Sequence, residues 1–485
     1  MAGTALGTYF GPSGTSCAFP ASPTSVAMRF SAVFTVSILL CVSPLALRAQ
    51  APVAVPVDAP ARYHSLPPVR AQADEMQDWV TARLERVLPE LMEEYDVDMW
   101  ILSMREYGED PVFWSIISPT TFAARRRSIY VFTRQDDGSV ERLALGGTSQ
   151  GGLFEIYRSP RPAPTGEQAE LWGDEQWRLL HEIVSDRDPA NIVLNIDETW
   201  AFADGLASGE REALERALGP DFRERVRREP RLATDYISVR VPEMMPRYRR
   251  VMETVHAMIA EAFSNSVITP GETTTDDVVW WLRQRVVDLG MGTWFQPSVS
   301  VQRAGGVPSG GSVVIERGDL LWTDFGVIAQ RLKTDTQHLG YVLREGEMGV
   351  PEGLQRCLAA SNRMQDIQLE AMTPGRTGNE ALAAAHAQMA AEDIDGTLYS
   401  HPIGDHGHGA GPLIGLWDRQ EGVPGRGDAA IRPSSWFSIE LQARLPIPEW
   451  GGEVASCRQE EEAYLDESGA RHWVFRRQER FHLVW

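Results

Sequence analysis

Gly318-Asp-Leu-Leu-Trp-Thr-Asp324-Phe-Gly326, followed by Lys333-Thr-Asp335-Thr336, is the stretch on which the fold turns. Both halves are strand-like, with apolar or β-branched residues around a single acid, and they flank a short turn. The midpoint of the two aspartates falls between Ala329 and Gln330. A hairpin centred there sets Asp324 and Asp335 opposite each other, with Cβ atoms about 5 Å apart. Like charges so opposed repel, so the pairing makes sense when a cation bridges them. The plainer alternative is two unrelated acids at strand ends.

Three further donors lie downstream in order. Ser400-His401-Pro-Ile-Gly404-Asp-His406-Gly-His408-Gly409 holds three of the chain's ten histidines, and its glycines permit close backbone approach. Glu440 sits inside the apolar strand Trp436–Leu441, where an unpartnered carboxylate is costly. Glu460 lies in Arg458-Gln-Glu460-Glu461-Glu462, where Arg458 is placed to brace a ligand carboxylate. Four carboxylates and one imidazole suit hard or borderline divalent cations better than a thiolate-seeking metal. The ordered set points to a dinuclear metal hydrolase.

The 485 residues suffice for two or three domains, with 43% hydrophobic and 23% charged residues, an ordinary soluble composition. A formal net charge of −21 argues against nucleic acid and anionic membrane as partners. From Met28 the chain reads MRFSAVFTVSILLCVSPLALRAQAP: a basic start, an apolar run and a small-residue cleavage pattern, as in a secretory signal. Export to the periplasm or medium is therefore expected, with no membrane attachment after cleavage, and translation begins at Met1 or Met28. Cys357 and Cys457 then remain; sequence leaves their pairing open.

Residues 52–242 alternate short β-rich runs (Asp98–Met104, Ser128–Thr133, Asn191–Ile196) with helical stretches such as Glu175–Ser185, an α/β pattern. Beyond residue 243, helices are expected at Tyr248–Asn265, Thr275–Leu289, Gly353–Glu370 and Thr377–Glu392. A Thr-Pro-Gly turn at 269 and again at 373 hints at duplication.

The catalytic half resembles the pita-bread metallopeptidases: methionine aminopeptidase, aminopeptidase P and prolidase. Asp324 and Asp335, eleven apart, match that family's hairpin aspartates; His401 with Gly404 resembles its His-x-x-Gly motif, with His408 at a second active-site histidine. Glu440 resembles the Glu of its I-E-P strand, with Leu441 in place of Pro, and Arg458-Gln-Glu460-Glu its closing R-x-E-D. The family's histidine before the first Asp is absent, and Thr397 stands where aminopeptidase P has another. His406 or His408 is the alternative ligand to His401, which is preferred because Gly404 and His408 then both fall into place.

The resemblance implies an α+β fold. Its catalytic part (243–485) is a pseudo-symmetric, curved antiparallel sheet covered by helices, preceded by an α/β creatinase-type domain (52–242) and a signal segment (1–51). It further implies two divalent metals held by Asp324, Asp335, His401, Glu440 and Glu460, with manganese preferred over cobalt, zinc or iron. A metal-bound hydroxide would attack the scissile carbonyl, with Glu440 transferring protons and His408 contacting the oxyanion. The implied substrate is a peptide with proline second, the implied assembly a homodimer. X-Pro dipeptidase and a metal-free binding protein on the same fold are the alternatives.

Overall fold

Short runs rich in apolar and β-branched residues build two large sheets, seen in a computed structural model that describes residues 59–307 and 311–485. The signal-like segment and the start of the lead-in lie outside the described residues. Helices α1 (Val69–Ala82) and α2 (Leu88–Glu94) precede β1 (Met99–Arg105), the one-turn α3 (Phe113–Ile116), β2 (Arg127–Arg134), β3 (Val140–Leu145) and β4 (Glu155–Tyr157). Then come α4 (Asp174–Arg187), β5 (Ile192–Leu194), α5 (Ser208–Arg223), β6 (Val226–Arg227) and α6 (Pro230–Ser238). The first sheet runs β4-β3-β2-β1-β5-β6. It mixes parallel pairs (β1 with β5, β5 with β6) with antiparallel ones (β1 with β2, β2 with β3).

The second sheet follows helices α7 (Met245–Ala262) and α8 (Thr275–Asp288). Its first strands are β7 (Ser298–Gln302), β8 (Leu320–Phe325) and β11 (Thr336–Val342), and the short β9 (Ile328–Ala329) and β10 (Leu332–Lys333) between β8 and β11 form a two-stranded sheet of their own. After helices α9 (Glu352–Ala371) and α10 (Gly378–Ala391) come β12 (Gly396–Pro402), β13 (Trp436–Ile447), β14 (Glu453–Leu465), β15 (Arg471–Trp473) and β16 (His482–Val484). The order is β12-β13-β14-β11-β8-β7, with β15 added to β14 and β16 to β11. All neighbours are antiparallel except β16 on β11.

The repeated Thr-Pro-Gly turns each lead into a capping box. Thr274 caps α8 with Asp277, and Thr377 caps α10 with Glu380. Two orphan backbone donors are satisfied reciprocally at each start. α7 buries Tyr248, Val251, Met252, Val255 and Ile259 on one stripe. Tyr248 stacks on Trp436 of the second sheet at 4.2 Å, in a cluster that also contains Trp100 and Tyr236. The two sheets thus share core residues across position 243.

The hairpin register differs from the sequence expectation by two residues, which keeps the same side chains on each face. Asp324 pairs with Gln337, and Ala329 with Leu332. The turn therefore consists of Gln330 and Arg331, both at positive φ (49° and 66°), as a primed two-residue hairpin requires. Turn geometry sets the register, and the midpoint of the acids does not. Asp335, two residues before Gln337, becomes a diagonal neighbour of Asp324 on the same face.

Cys357 of α9 and Cys457 of β14 form a disulfide, with Cα atoms 5.9 Å apart and a sequence separation of 100. It closes a long loop and fastens the covering helix to the strand that carries Glu460. No helix among the described residues is long and apolar enough to cross a membrane. In the chain-entropy account a loop of this size contributes about 4–5 kcal/mol, at the top of the measured range. Cys357→Ser/Cys457→Ser is therefore expected to lower unfolding free energy by roughly 2–5 kcal/mol in urea titration, and a loss below about 0.5 kcal/mol would contradict it.

Candidate metal centre

Strand pairing alone lines up most of the site. Tyr399 pairs with Glu440, Glu440 with Glu460, Glu460 with Gln337, and Gln337 with Asp324. These five side chains form one row across β12, β13, β14, β11 and β8, with neighbouring Cβ atoms about 4.5–5.5 Å apart. A parallel row two residues along holds His401, Ser438 and Glu462. Asp335 joins it, because its backbone N–H donates to Glu462 Oε1 at 2.7 Å. The structure thus brings together all five sequence-derived donors.

Asp324, Asp335 and Glu460 offer oxygens within 4.8 Å of one another, as do the donor atoms of His401, Glu440 and Glu460, and of Asp335, His401 and His408. His401 Nε2 stands 3.4 Å from Glu460 Oε1 and 3.7 Å from Asp335 Oδ2. Its Nδ1 lies 3.1 Å from the Pro402 carbonyl, which accepts only from a protonated nitrogen, so the ring proton is assigned to Nδ1. Nε2 then points a lone pair at two carboxylates. His401 Nε2, Asp324 Oδ1 and Asp335 Oδ1 are buried without hydrogen-bond partners.

The donors around this cluster were not legible in the sequence. Gln337 Nε2 donates to Glu440 Oε1 at 2.6 Å and to Glu460 Oε2 at 2.9 Å. The Trp322 indole N–H donates to Gln337 Oε1 at 3.0 Å, which fixes the amide's orientation, since an indole only donates. Ser438 Oγ donates to Glu460 Oε1 at 2.7 Å. Arg458, expected to brace a ligand carboxylate, instead lies over the Trp322 ring at 5.0 Å. Its aromatic neighbour, on β8, takes the guanidinium before it reaches an acid.

Burial and mutual repulsion set the electrostatics. Burial, then Glu460 and Glu440, pushes Asp324 up to about 8. Asp335 is raised well above the aspartate range by burial and by Glu460 and Asp324. Glu440 rises to about 7 through burial and Glu460, and burial takes Glu460 to about 7. Each carboxylate resists charging without a counter-charge.

The histidine loop is held from elsewhere in the chain. Asp405 is bound by Arg83 at 2.7 Å, Ser115 Oγ at 2.8 Å and Arg240 at 3.3 Å. Burial opposes its ionisation, yet Arg83 and Arg240 hold its carboxyl far below the usual range. Gly404 is required here: at φ +135° an added Cβ would meet the Arg240 guanidinium at 2.2 Å. His408 stands perpendicular to His401 at 4.9 Å, beside Trp294, and burial lowers it to about 4. His406 instead packs on Phe202 at 4.7 Å and joins no donor cluster among the described residues.

Divalent cations fit these residues. The partnerless oxygens, the bare imidazole nitrogen and four reluctant carboxylates form a hard donor set that protons alone serve poorly. Asp324, Asp335 and Glu460 would hold one ion, His401, Glu440 and Glu460 another.

No curated protein is significantly similar to the chain. Among solved structures, an X-Pro aminopeptidase from Thermotoga maritima MSB8 aligns over 81% of this chain and 100% of its own, with TM-score 0.56 and 16% identity. A Xaa-Pro dipeptidase from Bacillus anthracis covers 84% and 100%, with TM-score 0.52 and 14% identity. The N-terminal domain of FACT complex subunit SPT16 from Cicer arietinum (chickpea) covers 82% and 96%, with TM-score 0.52 and 11% identity. Such identities speak for the fold alone. The match to metallopeptidase family M24 spans residues 246–467, within the part that contains all five donors. Residues 246–467 are thus similar to metallopeptidase family M24, and the curved antiparallel sheet they build has the pita-bread fold.

Proposed function

We propose that this protein is a metal-dependent aminopeptidase that releases the residue preceding proline. The observation that carries the metal dependence is the convergence of Asp324 Oδ1, Asp335 Oδ1 and His401 Nε2, buried and partnerless, on one face of the sheet. The choice of X-Pro peptides rests on the fold shared with the Thermotoga maritima protein and is therefore the part for experiment to decide. Two bound cations, manganese foremost, would supply Lewis acidity and acidify a water toward neutrality.

The chain's own residues divide the remaining work. Glu440, raised to about 7, has the affinity a proton carrier needs near neutral pH. Its Oε1 is held by Gln337, which fixes the carboxyl's direction. His408, lowered to about 4, is neutral at pH 7 and placed to donate to a substrate carbonyl. The Trp294 and Phe202 rings pack against His408 and His406 of the histidine loop.

One observation favours the dipeptidase alternative. Arg426 bears electrostatically on His401 and His408, and its Nε is buried without a partner. Its Nη2 donates to the Gly409 carbonyl at 2.9 Å, and no ion pair to a carboxylate is recorded for it among the described residues. A cation so placed suits the carboxylate of a short substrate. Export and a homodimer belong to the same proposal. A signal-like segment from Met28 and the Cys357–Cys457 bridge suit an oxidising compartment, and light scattering reports the assembly.

Hydrolysis of X-Pro-Y tripeptides against X-Pro dipeptides, with manganese added, tests the reading; inactivity on both, with no metal bound, defeats it. Asp335→Asn or Glu460→Gln should remove both metal and hydrolysis, whereas His408→Ala should keep the metal and slow turnover by about 10²–10³. Full metal occupancy in Asp335→Asn contradicts the assignment. Arg426→Met should raise KM for dipeptides and leave longer peptides nearly unaffected; an equal effect on both removes its role in binding a carboxylate.

The raised acids also fix a pH dependence. In metal-free protein, Glu440 and Glu460 ionise near 7 instead of 4.5, and Asp324 near 8 instead of 3.8. The native state then binds more protons than the unfolded chain. This stabilising contribution is complete below the unfolded values and is lost as pH rises through about 7 to 8. Cations replace the protons, so the Tm gap between manganese-loaded and chelator-treated protein should widen from about pH 5 to about pH 8. A gap that narrows over this range rules the mechanism out.

A further inference from the structure

His338 and Glu461 lie one residue beyond Gln337 and before Glu462, so strand alternation turns them away from the carboxylate centre. On that opposite face, Glu461 Oε1 lies 2.9 Å from His338 Nε2, and Glu461 Oε2 lies 3.0 Å from His256 Nε2. His256 comes from α7 and is 3% exposed; His338 and Glu461 are each 1% exposed. The three donor atoms lie within 4.8 Å of one another. His338 Nδ1 contacts His482 Nε2 of β16 at 3.0 Å, and Phe475 closes over His256 at 5.1 Å.

We propose that His256, His338 and Glu461 form a second divalent-metal site, structural and suited to zinc, behind the carboxylate centre. The donor sets differ in kind. Two imidazoles and one carboxylate match borderline zinc, whereas the oxygen-rich front face favours harder ions. His482 plays the part expected of an outer partner. When His338 donates its Nδ1 proton to His482 Nε2, its own Nε2 presents a lone pair to the space shared with Glu461. All three donors are buried, and a tetrahedral zinc would take a water as its fourth ligand. An ion there would tie α7, β11, β14 and, through His482, β16, and so hold in place the strands that carry Glu460 and Gln337 on the other face. The competing arrangement, a metal-free hydrogen-bonded His–Glu–His network, has the same short contacts and differs in metal content.

The decisive measurement uses the full chain with the front face disabled by Asp335→Asn/Glu460→Gln. Purified from zinc- and manganese-supplemented medium and dialysed, this variant is expected to retain about one zinc per chain by elemental analysis. X-ray absorption should show imidazole ligands. Adding His256→Gln or His338→Gln should remove the ion. A folded front-disabled variant with no metal overturns the site, as does an all-oxygen shell or full retention after either histidine is changed. Should the histidine variants fail to fold, the ligand shell of the front-disabled protein decides alone. Because the count is made without the carboxylate centre, its outcome is independent of the peptidase reading.

Discussion

Repulsion among acids forced into one row is the constraint around which the catalytic sheet is arranged. Antiparallel pairing places Glu440 beside Glu460 and brings Asp324 to Gln337, leaving these charges no freedom to separate. The chain answers with fixed donors: Gln337 to two carboxylates, Ser438 to one, and the Asp335 N–H to Glu462. These donors occupy outward lone pairs and leave Asp324 Oδ1, Asp335 Oδ1 and His401 Nε2 free. What remains unsatisfied is a set of donors chemically suited to a divalent cation. A site that is costly when empty becomes rigid when filled, which is the preorganisation metal chemistry needs.

His406 and His408 obey a different constraint, because their loop has no ladder beyond Pro402. Asp405 supplies the anchor, and two of its partners, Arg83 and Ser115, belong to the N-terminal part of the chain. A buried aspartate against two arginines is expensive to break, since loss of one partner strands the other charges. The position of His408 is therefore conditional on residues some three hundred positions earlier, whereas His401 is held by its pairing with Ser438. This gives the N-terminal part a physical role at the site whether or not it touches substrate.

Much of this was legible in the sequence, and the failures have identifiable causes. The candidate donors stood out because carboxylates inside apolar strands, such as Glu440, demand an explanation. Helix starts near Thr275 and Thr377 were expected after the two Thr-Pro-Gly turns, and capping boxes at Thr274 and Thr377 open those helices. The hairpin register was missed because Gln330 and Arg331 take positive φ without glycine or asparagine to signal it. Gln337 and Trp322 were invisible for a deeper reason: a neutral amide and an indole acquire their roles only through cross-strand partners distant in sequence. His256, His338 and His482, single histidines on separate elements, give no local signal of their meeting. Arg458 was expected to brace a ligand carboxylate, and sequence cannot show that its guanidinium lies over the Trp322 ring of β8.

The run Glu460-Glu461-Glu462 shows how far side-chain direction outweighs composition. Three identical residues follow one another on β14, all buried, yet their acidities diverge. Burial raises Glu460 to about 7 and Glu462 well above its ordinary value, on the face crowded with other acids. Burial opposes ionisation of Glu461 as well, but His256 and His338 on the opposite face hold it at about 2. A two-residue period thus separates chemistry that resists charge from chemistry that accepts it, within a single strand. An acidic run in sequence ordinarily means a solvated face; here it means one strand serving two environments. A shift of one residue in the register of β14 would exchange them, placing Glu461 among like charges and its neighbours against imidazoles. The ladder that holds Glu440 to Glu460 and the disulfide three residues upstream at Cys457 oppose that slip, so fold stability and site chemistry depend on the same register.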